Sequence, residues 1–239
     1  MLPPEVDTAL HFGGGKDSLA TLYLMRARWP NLVVVWMNTG AAFEETRAQM
    51  AAVAAMVPHF LEVRSDVIAD IAEHGWPVDV VPVSHTALGK QLTGAEGPTL
   101  RPWTECCASN IWLPMYARMR ELGIKRIIRG QRNDEPYRNR NLRDGLALDG
   151  FIYEFPLAQW SEDEVFRYLD ALGVGVPAYY DEVKSSLDCW CCTAFLDVKD
   201  AQVRYLQRHH PERYTVVAAA LAAARDAVAD ASAPLMEEV

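Results

Sequence analysis

No stretch of this sequence reaches the roughly 20 consecutive apolar residues that a membrane-crossing helix needs, so a membrane partner is not expected. Positive charge is also in short supply. The chain carries 23 Lys and Arg against 32 Asp and Glu, a formal net charge of −9. General affinity for nucleic acid, which depends on clustered Lys and Arg, is therefore not expected. A local basic groove stays open, because Arg126, Arg129, Arg132, Arg138, Arg140 and Arg143 fall within one short segment. Met1–Asp7 holds acidic residues and two prolines and lacks the basic start and apolar run of a secretory signal, which points to the cytoplasm. Internal repeats and low-complexity linkers are missing as well. Cysteines number five. In a reducing compartment they read as metal-binding or redox-active rather than disulfide-bonded.

What is there suits a soluble globular protein of ordinary composition. Half of the 239 residues are hydrophobic and 23% are charged, enough for a core that needs no disulfide. Thr8–Phe12 predicts a short strand, and a helical pattern follows through Leu19, Leu22, Tyr23 and Met25. Asn31–Met37 is a mostly β-branched apolar run, the mark of a strand buried on both faces. Phe43–Met56 predicts a helix with Glu44 and Glu45 in its first turn. Phe60–Val63 and Val78–Val83 are further strand candidates, and Leu88–Pro102 reads as a loop. Ile111–Leu122 predicts a helix, Ile124–Arg129 a strand, and Gly145–Pro156 a turn with a short strand. Ser161–Leu172 predicts a helix with a Ser161/Glu164 capping box and Gly173 as its stop.

Lys199–His209 and Glu212–Asp230 complete the predicted helices. The last is so rich in alanine that it must pack shallowly or against a partner, which leaves a homo-oligomer open. Alternating strands and helices imply a doubly wound parallel sheet of Rossmann-like α/β type with a helical C-terminal extension. The expected division is a nucleotide-binding domain over 1–197 and an extension over 198–239.

Between the first strand and helix lies Gly13-Gly14-Gly15-Lys16-Asp17-Ser18. Glycines allow a tight turn and bring backbone N–H groups up to an anion, and the helix adds its positive dipole end. Ser18 offers a hydroxyl and Lys16 a mobile charge. The segment is neither a Walker loop nor a dinucleotide fingerprint. It resembles the PP-loop, Ser-Gly-Gly-x-Asp-Ser, of the adenine nucleotide α-hydrolase-like superfamily, with Gly13 in place of Ser. Within that superfamily the chain is most similar to the sulfonucleotide (PAPS/APS) reductases.

Three further segments carry the resemblance. Asn38-Thr39-Gly40-Ala41-Ala42-Phe43-Glu44-Glu45-Thr46 is similar to the family's Asp-Thr-Gly-x-x-Phe-x-Glu-Thr. Gly130-Gln131-Arg132, with Arg138 and Arg140 downstream, resembles its Gly-x-Arg segment. Phe155–Val165 resembles its Pro-Leu-x-x-Trp-x-x-x-Asp-Val stretch. The resemblance implies that Gly13, Gly14, Gly15, Lys16, Asp17, Ser18, Asn38, Thr39, Gly40, Glu45, Gly130, Arg132, Arg138 and Arg140 bind an adenine nucleotide. That nucleotide would be adenylyl sulfate, its 3′-phosphate form, or ATP with Mg²⁺. A guanidinium fork matches phosphate geometry, which favours Arg132 as a phosphate contact.

Cys106-Cys107 and the later Cys189-Trp190-Cys191-Cys192-Thr193 form a second constellation. Four thiolates from two distant segments suit an iron–sulfur cluster or zinc, and buried cysteines acting as small hydrophobes are the plainer alternative. Resemblance to the adenylyl sulfate reductase branch implies a 4Fe–4S cluster held by Cys106, Cys107, Cys189 and Cys192, with Cys191 spare where the family has Pro. Two departures bear on the reaction. Family reductases attack sulfur with a tail cysteine, whereas the sequence after Cys192 holds none, leaving Cys191 (with Lys16) as the candidate catalytic group. Asn110-Ile111 also stands where the family has Arg-Lys.

Three functions follow as expectations: a sulfonucleotide reductase-like enzyme using a thioredoxin-like reductant, an adenylating ATP pyrophosphatase served by a sulfur donor, or a nucleotide-binding Fe–S sensing module. Trp103 and Trp112 are expected to pack in the core. His85, His209 and His210 are expected in solvated or capping roles.

Overall fold

The continuous β-branched run of the sequence becomes the inside of a sheet. The computed structural model describes residues 2–135, 139–187 and 189–236. Its strands are β1 (Thr8–His11), β2 (Leu32–Asn38), β3 (Phe60–Arg64), β4 (Trp76–Val78), β5 (Leu100–Pro102), β6 (Arg126–Ile128), β7 (Ala147–Leu148) and β8 (Phe151–Glu154). Its α-helices are α1 (Lys16–Leu24), α2 (Glu44–Met56), α3 (Val67–His74), α4 (Ala87–Thr93), α5 (Trp103–Cys107) and α6 (Leu113–Glu121). They continue with α7 (Glu162–Ala171), α8 (Tyr180–Val183), α9 (Leu196–His209) and α10 (Pro211–Met236). The residues group into two units.

The first unit comprises Met1–Asn38, Phe43–Arg64 and Pro114–Leu187. It holds a six-stranded sheet in the order β3-β2-β1-β6-β8-β7, parallel except for β7. In β1, Thr8 lies opposite both Leu32 and Arg126, so the strand is paired on both edges. Leu32 to Val35 are all buried; the unbroken apolar run thus marks an interior strand with helices on both faces. Leu10, Phe12, Leu22, Phe43, Met50, Ile127, Ile128, Phe151 and Tyr153 complete the core. Each such side chain contributes about 1.5–3 kcal/mol of transfer free energy. The predicted capping box opens α7: the Ser161 hydroxyl accepts from the Glu164 N–H, and the Glu164 carboxylate accepts from the Ser161 N–H.

The second unit comprises Thr39–Ala42, Ser65–Leu113 and Asp188–Val239. Here the structure corrects two sequence expectations. The Val78–Val83 strand is instead Trp76–Val78, paired in parallel with β5, while Val80 and Val83 are exposed. The position of β4 is set by Gly75, whose backbone (φ +96) runs so close to the Thr99 carbonyl that a Cβ would collide with it. Leu88–Pro102 is not a loop, since α4 and β5 fall within it. Thr86 caps α4 through its hydroxyl. α3 had no forecast. The alanine-rich α10 packs shallowly: Val217, Ala220, Ala224 and Ala227 form a buried stripe, the last two against Val78 and Leu100. Of the solvated or capping roles expected for His85, the solvated one does not hold: the side chain is buried with Nδ1 3.0 Å from the Pro98 carbonyl.

Candidate functional site

Two constellations stand out, one in each unit. In the first unit, β1 delivers the chain into the glycine loop. Gly13 has open space around it, and Gly14 adopts φ +85, a left-handed conformation that favours glycine. A Cβ on Gly14 would stand 2.9 Å from Gln49 Oε1. Gly15 starts α1 without a side-chain cap. The Lys16 N–H donates to the Tyr180 hydroxyl at 2.8 Å, the Tyr179 hydroxyl donates to the Gly14 carbonyl at 3.2 Å, and Ser18 Oγ donates to the Gly15 carbonyl at 2.8 Å. The turn is therefore braced from α8 and from within, with its helix dipole aimed at the glycines.

Two buried cations flank this turn. Lys16, 6% exposed, places Nζ 3.1 Å from Asp17 Oδ2 and 2.9 Å from Glu162 Oε1, over the rings of Phe166 and Tyr180. Arg132, 5% exposed, pairs with Asp17 through Nη1 and with Asp134 through Nε at 2.9 Å. Asp17 thus bridges both cations. The Arg132 N–H donates to Glu135 Oε1 at 2.8 Å. Burial pushes the Glu135 carboxyl above its ordinary range, with Asp17 adding to the effect. Gly130 lies against α1 so closely that a Cβ there would be 2.7 Å from the Asp17 carbonyl carbon. The ensemble offers backbone donors, a helix dipole and two oriented cations, the makings of an anion cradle.

The other nucleotide-binding candidates are distributed differently. Asn38 ends β2 with Nδ2 donating to Glu62 Oε1 at 2.6 Å. Glu45 stands in the first turn of α2. Arg140 is exposed, and Arg138 lies outside the described residues. Thr39 belongs to the second unit, its hydroxyl 3.0 Å from Cys189 Sγ, and Gly40 beside it has φ +81.

In the second unit all five cysteines line one opening, together with Val67, Ile71, Pro77, Trp103, Asn110 and Ile111. α5 carries Cys106 and Cys107 and runs into a π-helical turn, Ala108–Trp112, a local widening of the helix often found at functional sites. The later segment is pinned by backbone: the Trp190 N–H donates to the Ala41 carbonyl at 2.9 Å and the Cys192 N–H to the Cys189 carbonyl at 3.1 Å. Thr193 Oγ1 donates to the Pro77 carbonyl at 2.6 Å. Phe195 takes a left-handed conformation (φ 61), with its N–H on Asp79 Oδ1 at 3.0 Å and its ring 4.3 Å from that of Trp103. Trp112 is partly exposed rather than a core residue, whereas Trp103 forms part of the wall.

Cys191 is 1% exposed and packs with Cys106 among Ala41, Val67 and Ile71. Burial, reinforced by its neighbouring cysteines, pushes its thiol far above the usual range. Burial likewise raises the Cys106 thiol, while Arg101 and its partner Asp70 act on it in opposite directions. Among the described residues no three of the five sulfurs gather within 4.8 Å of one another. A single tetrahedral zinc ion at about 2.3 Å from each sulfur would bring them to about 3.8 Å apart. The all-thiol donor set and apolar walls fit a cluster of iron and sulfide, and a four-thiolate set also suits a single zinc ion. Sequence reasoning missed Arg101, Asp70 and Glu162. No motif spacing marks them, since each reaches its partner only through the fold.

A protein-family model described as the phosphoadenosine phosphosulfate reductase domain matches residues 7–195. No curated protein sequence matches the chain. Among solved structures, the chain is similar to the phosphoadenylyl-sulfate (PAPS) reductase from Candida auris in its phosphate complex. That similarity has a TM-score of 0.54 and 16% identity, over 80% of this chain and 83% of that one. It also matches the U34-tRNA thiolase NcsA from Methanococcus maripaludis with its 4Fe–4S cluster (TM-score 0.44, 16% identity, 92% and 73% covered). A third match is the NH3-dependent NAD synthetase from Campylobacter jejuni (TM-score 0.46, 12% identity, 92% and 85% covered). At such identities the first of these speaks for the fold alone, a mostly parallel sheet flanked by helices.

Proposed function

Because the chain belongs to the phosphoadenosine phosphosulfate reductase domain family, we propose that this PP-loop enzyme cleaves an adenylyl sulfate reductively with a thiol supplied by another molecule. The turn Gly13–Ser18, with Lys16 and Arg132, receives the anionic end of the nucleotide; Asp17 holds the two cations in register. Cys106, Cys107, Cys189 and Cys192 hold a 4Fe–4S cluster. Such a cluster supplies one-electron chemistry and iron that binds sulfur.

The observation that carries this reading is the gathering of all five cysteines around one apolar opening, with Cys191 buried in its wall. A thiolate is the required nucleophile, and Cys191, buried in the wall, is not open to a substrate's sulfur. The attacking sulfur therefore comes from a dithiol protein of thioredoxin type. Its thiolate attacks the sulfate sulfur, the S–O bond to the nucleotide breaks, and AMP or its 3′-phosphate leaves. The second thiol of the reductant then releases sulfite and closes a disulfide, so two electrons pass from dithiol to sulfur.

The burial of Cys191 also favours a second reading, an adenylating ATP pyrophosphatase. In it the turn holds the departing pyrophosphate, Mg²⁺ accompanies ATP, and a sulfur donor completes the reaction. Anaerobic turnover separates the readings. ATP and both adenylyl sulfates are each offered with and without thioredoxin or dithiothreitol. Sulfite with AMP or its 3′-phosphate, only when dithiol is present, is the expected result. Pyrophosphate from ATP with no sulfite establishes adenylation instead. Binding without turnover of any of the three leaves a nucleotide-sensing module.

A further inference from the structure

Beside the cysteine pair, Asn110 stands at the end of a chain of part-buried polar contacts that begins at Arg101. Arg101 on β5 is buried, with Nε donating to the Gly75 carbonyl at 3.1 Å and Nη2 paired to Asp70 Oδ2. Asp70 lies on α3 and also receives Asn110 Nδ2 at 2.5 Å, with His74 Nδ1 3.1 Å from its other oxygen. Asn110 is 3% exposed in the π-helical turn, one turn on from Cys106. Its Nδ2 also lies 3.1 Å from the Cys106 carbonyl and 3.9 Å from Cys106 Sγ, while its backbone carbonyl accepts from Ser65 Oγ at 2.8 Å.

An Asn side chain has two ends of nearly equal size, one donating and one accepting. A carboxylate only accepts, so Asp70 selects the orientation that turns the NH₂ group toward Cys106. Arg101 fixes Asp70 in turn through their ion pair. We propose that Asn110 tunes Cys106, its amide donating an N–H···S bond to the thiolate under orientation by the Asp70–Arg101 pair. The inference rests on the reading of Cys106 as a cluster ligand. Hydrogen bonds to ligand sulfur are among the protein's means of setting cluster electronics.

The test uses the full chain purified anaerobically, with iron and acid-labile sulfide measured per chain and resonance Raman spectra recorded in H₂O and D₂O. Wild-type protein is expected to carry both elements and to shift a terminal Fe–S stretching band in D₂O. Asn110→Leu, loaded to the wild-type iron level, is expected to lose part of that isotope shift and to move the band to higher frequency. Asp70→Asn, which keeps the shape but frees the amide to turn over, is expected to move it the same way by less; it decides the matter if Asn110→Leu fails to fold. Loaded variants with wild-type spectra overturn the tuning role and leave the cluster reading intact. Wild-type protein free of iron and sulfide overturns the cluster reading and, with it, this inference.

Discussion

At Gly130 a single absent methyl group decides whether the Arg132 segment can lie against the nucleotide loop. An added Cβ would meet the backbone of Asp17 at 2.7 Å and the Ser18 nitrogen at 2.8 Å, and neither is the free end of a flexible side chain. Gly130→Ala is therefore expected to cost about 1–3 kcal/mol of stability and to weaken nucleotide binding by about tenfold or more. Denaturant unfolding and calorimetric titration with the nucleotide read the two effects, and wild-type values in both would sink the close-contact argument. The glycines, Lys16, Asp17 and Ser18 were legible as a group because a turn before a helix demands those residue types at those places. The pairing of Lys16 with Glu162 was not, because 146 positions of chain separate two residues that only the packing of α7 near α1 brings together.

At the scale of elements, β1 shows what burial imposes on a strand end. His11 faces Tyr116, with ring centroids 6.3 Å apart, and its Nε2 is buried without a hydrogen-bond partner among the described residues. Burial, helped by Arg129, lowers its pKa from 6.5 to about 3. The folded pKa is depressed, so the neutral ring is compatible with full stability above pH 6.5. Below that value the unfolded chain binds the proton first, and stability falls by up to about 1.4 kcal/mol per pH unit as pH drops toward about 3. His11→Phe is expected to flatten this slope in urea unfolding at pH 7, 6, 5 and 4; parallel profiles for the two proteins would refute it. The strands with long apolar runs and the Ser161 capping box were readable because each rests on local periodicity or local hydrogen bonding. β4 and β5 were misread because three-residue strands carry little periodicity, and Gly75 against Thr99 sets their register through space.

For the molecule as a whole, the decisive question is what the five cysteines hold. Wild-type chain purified without oxygen is expected to contain about four iron and four sulfide per chain. Cys191→Ser is expected to keep that content, while serine at Cys106, Cys107, Cys189 or Cys192 loses most of it. Loss of iron from Cys191→Ser alone among the five would show that the buried fifth thiol is a ligand and that the family's ligand set does not carry over to this chain.

The amino-acid sequence by itself determined the α/β alternation, the glycine turn, the PAPS-reductase-like order of segments and the two cysteine clusters. These are properties of short windows, in which residue type and spacing directly limit the backbone. Only tertiary structure decided that Thr39 turns to Cys189, that Cys191 is buried rather than poised for attack, and that Arg101 and Asp70 stand behind Asn110. Those arrangements join residues tens of positions apart, and the burial that fixes charge, hydrogen bonding and thiol reactivity exists only once the chain has packed.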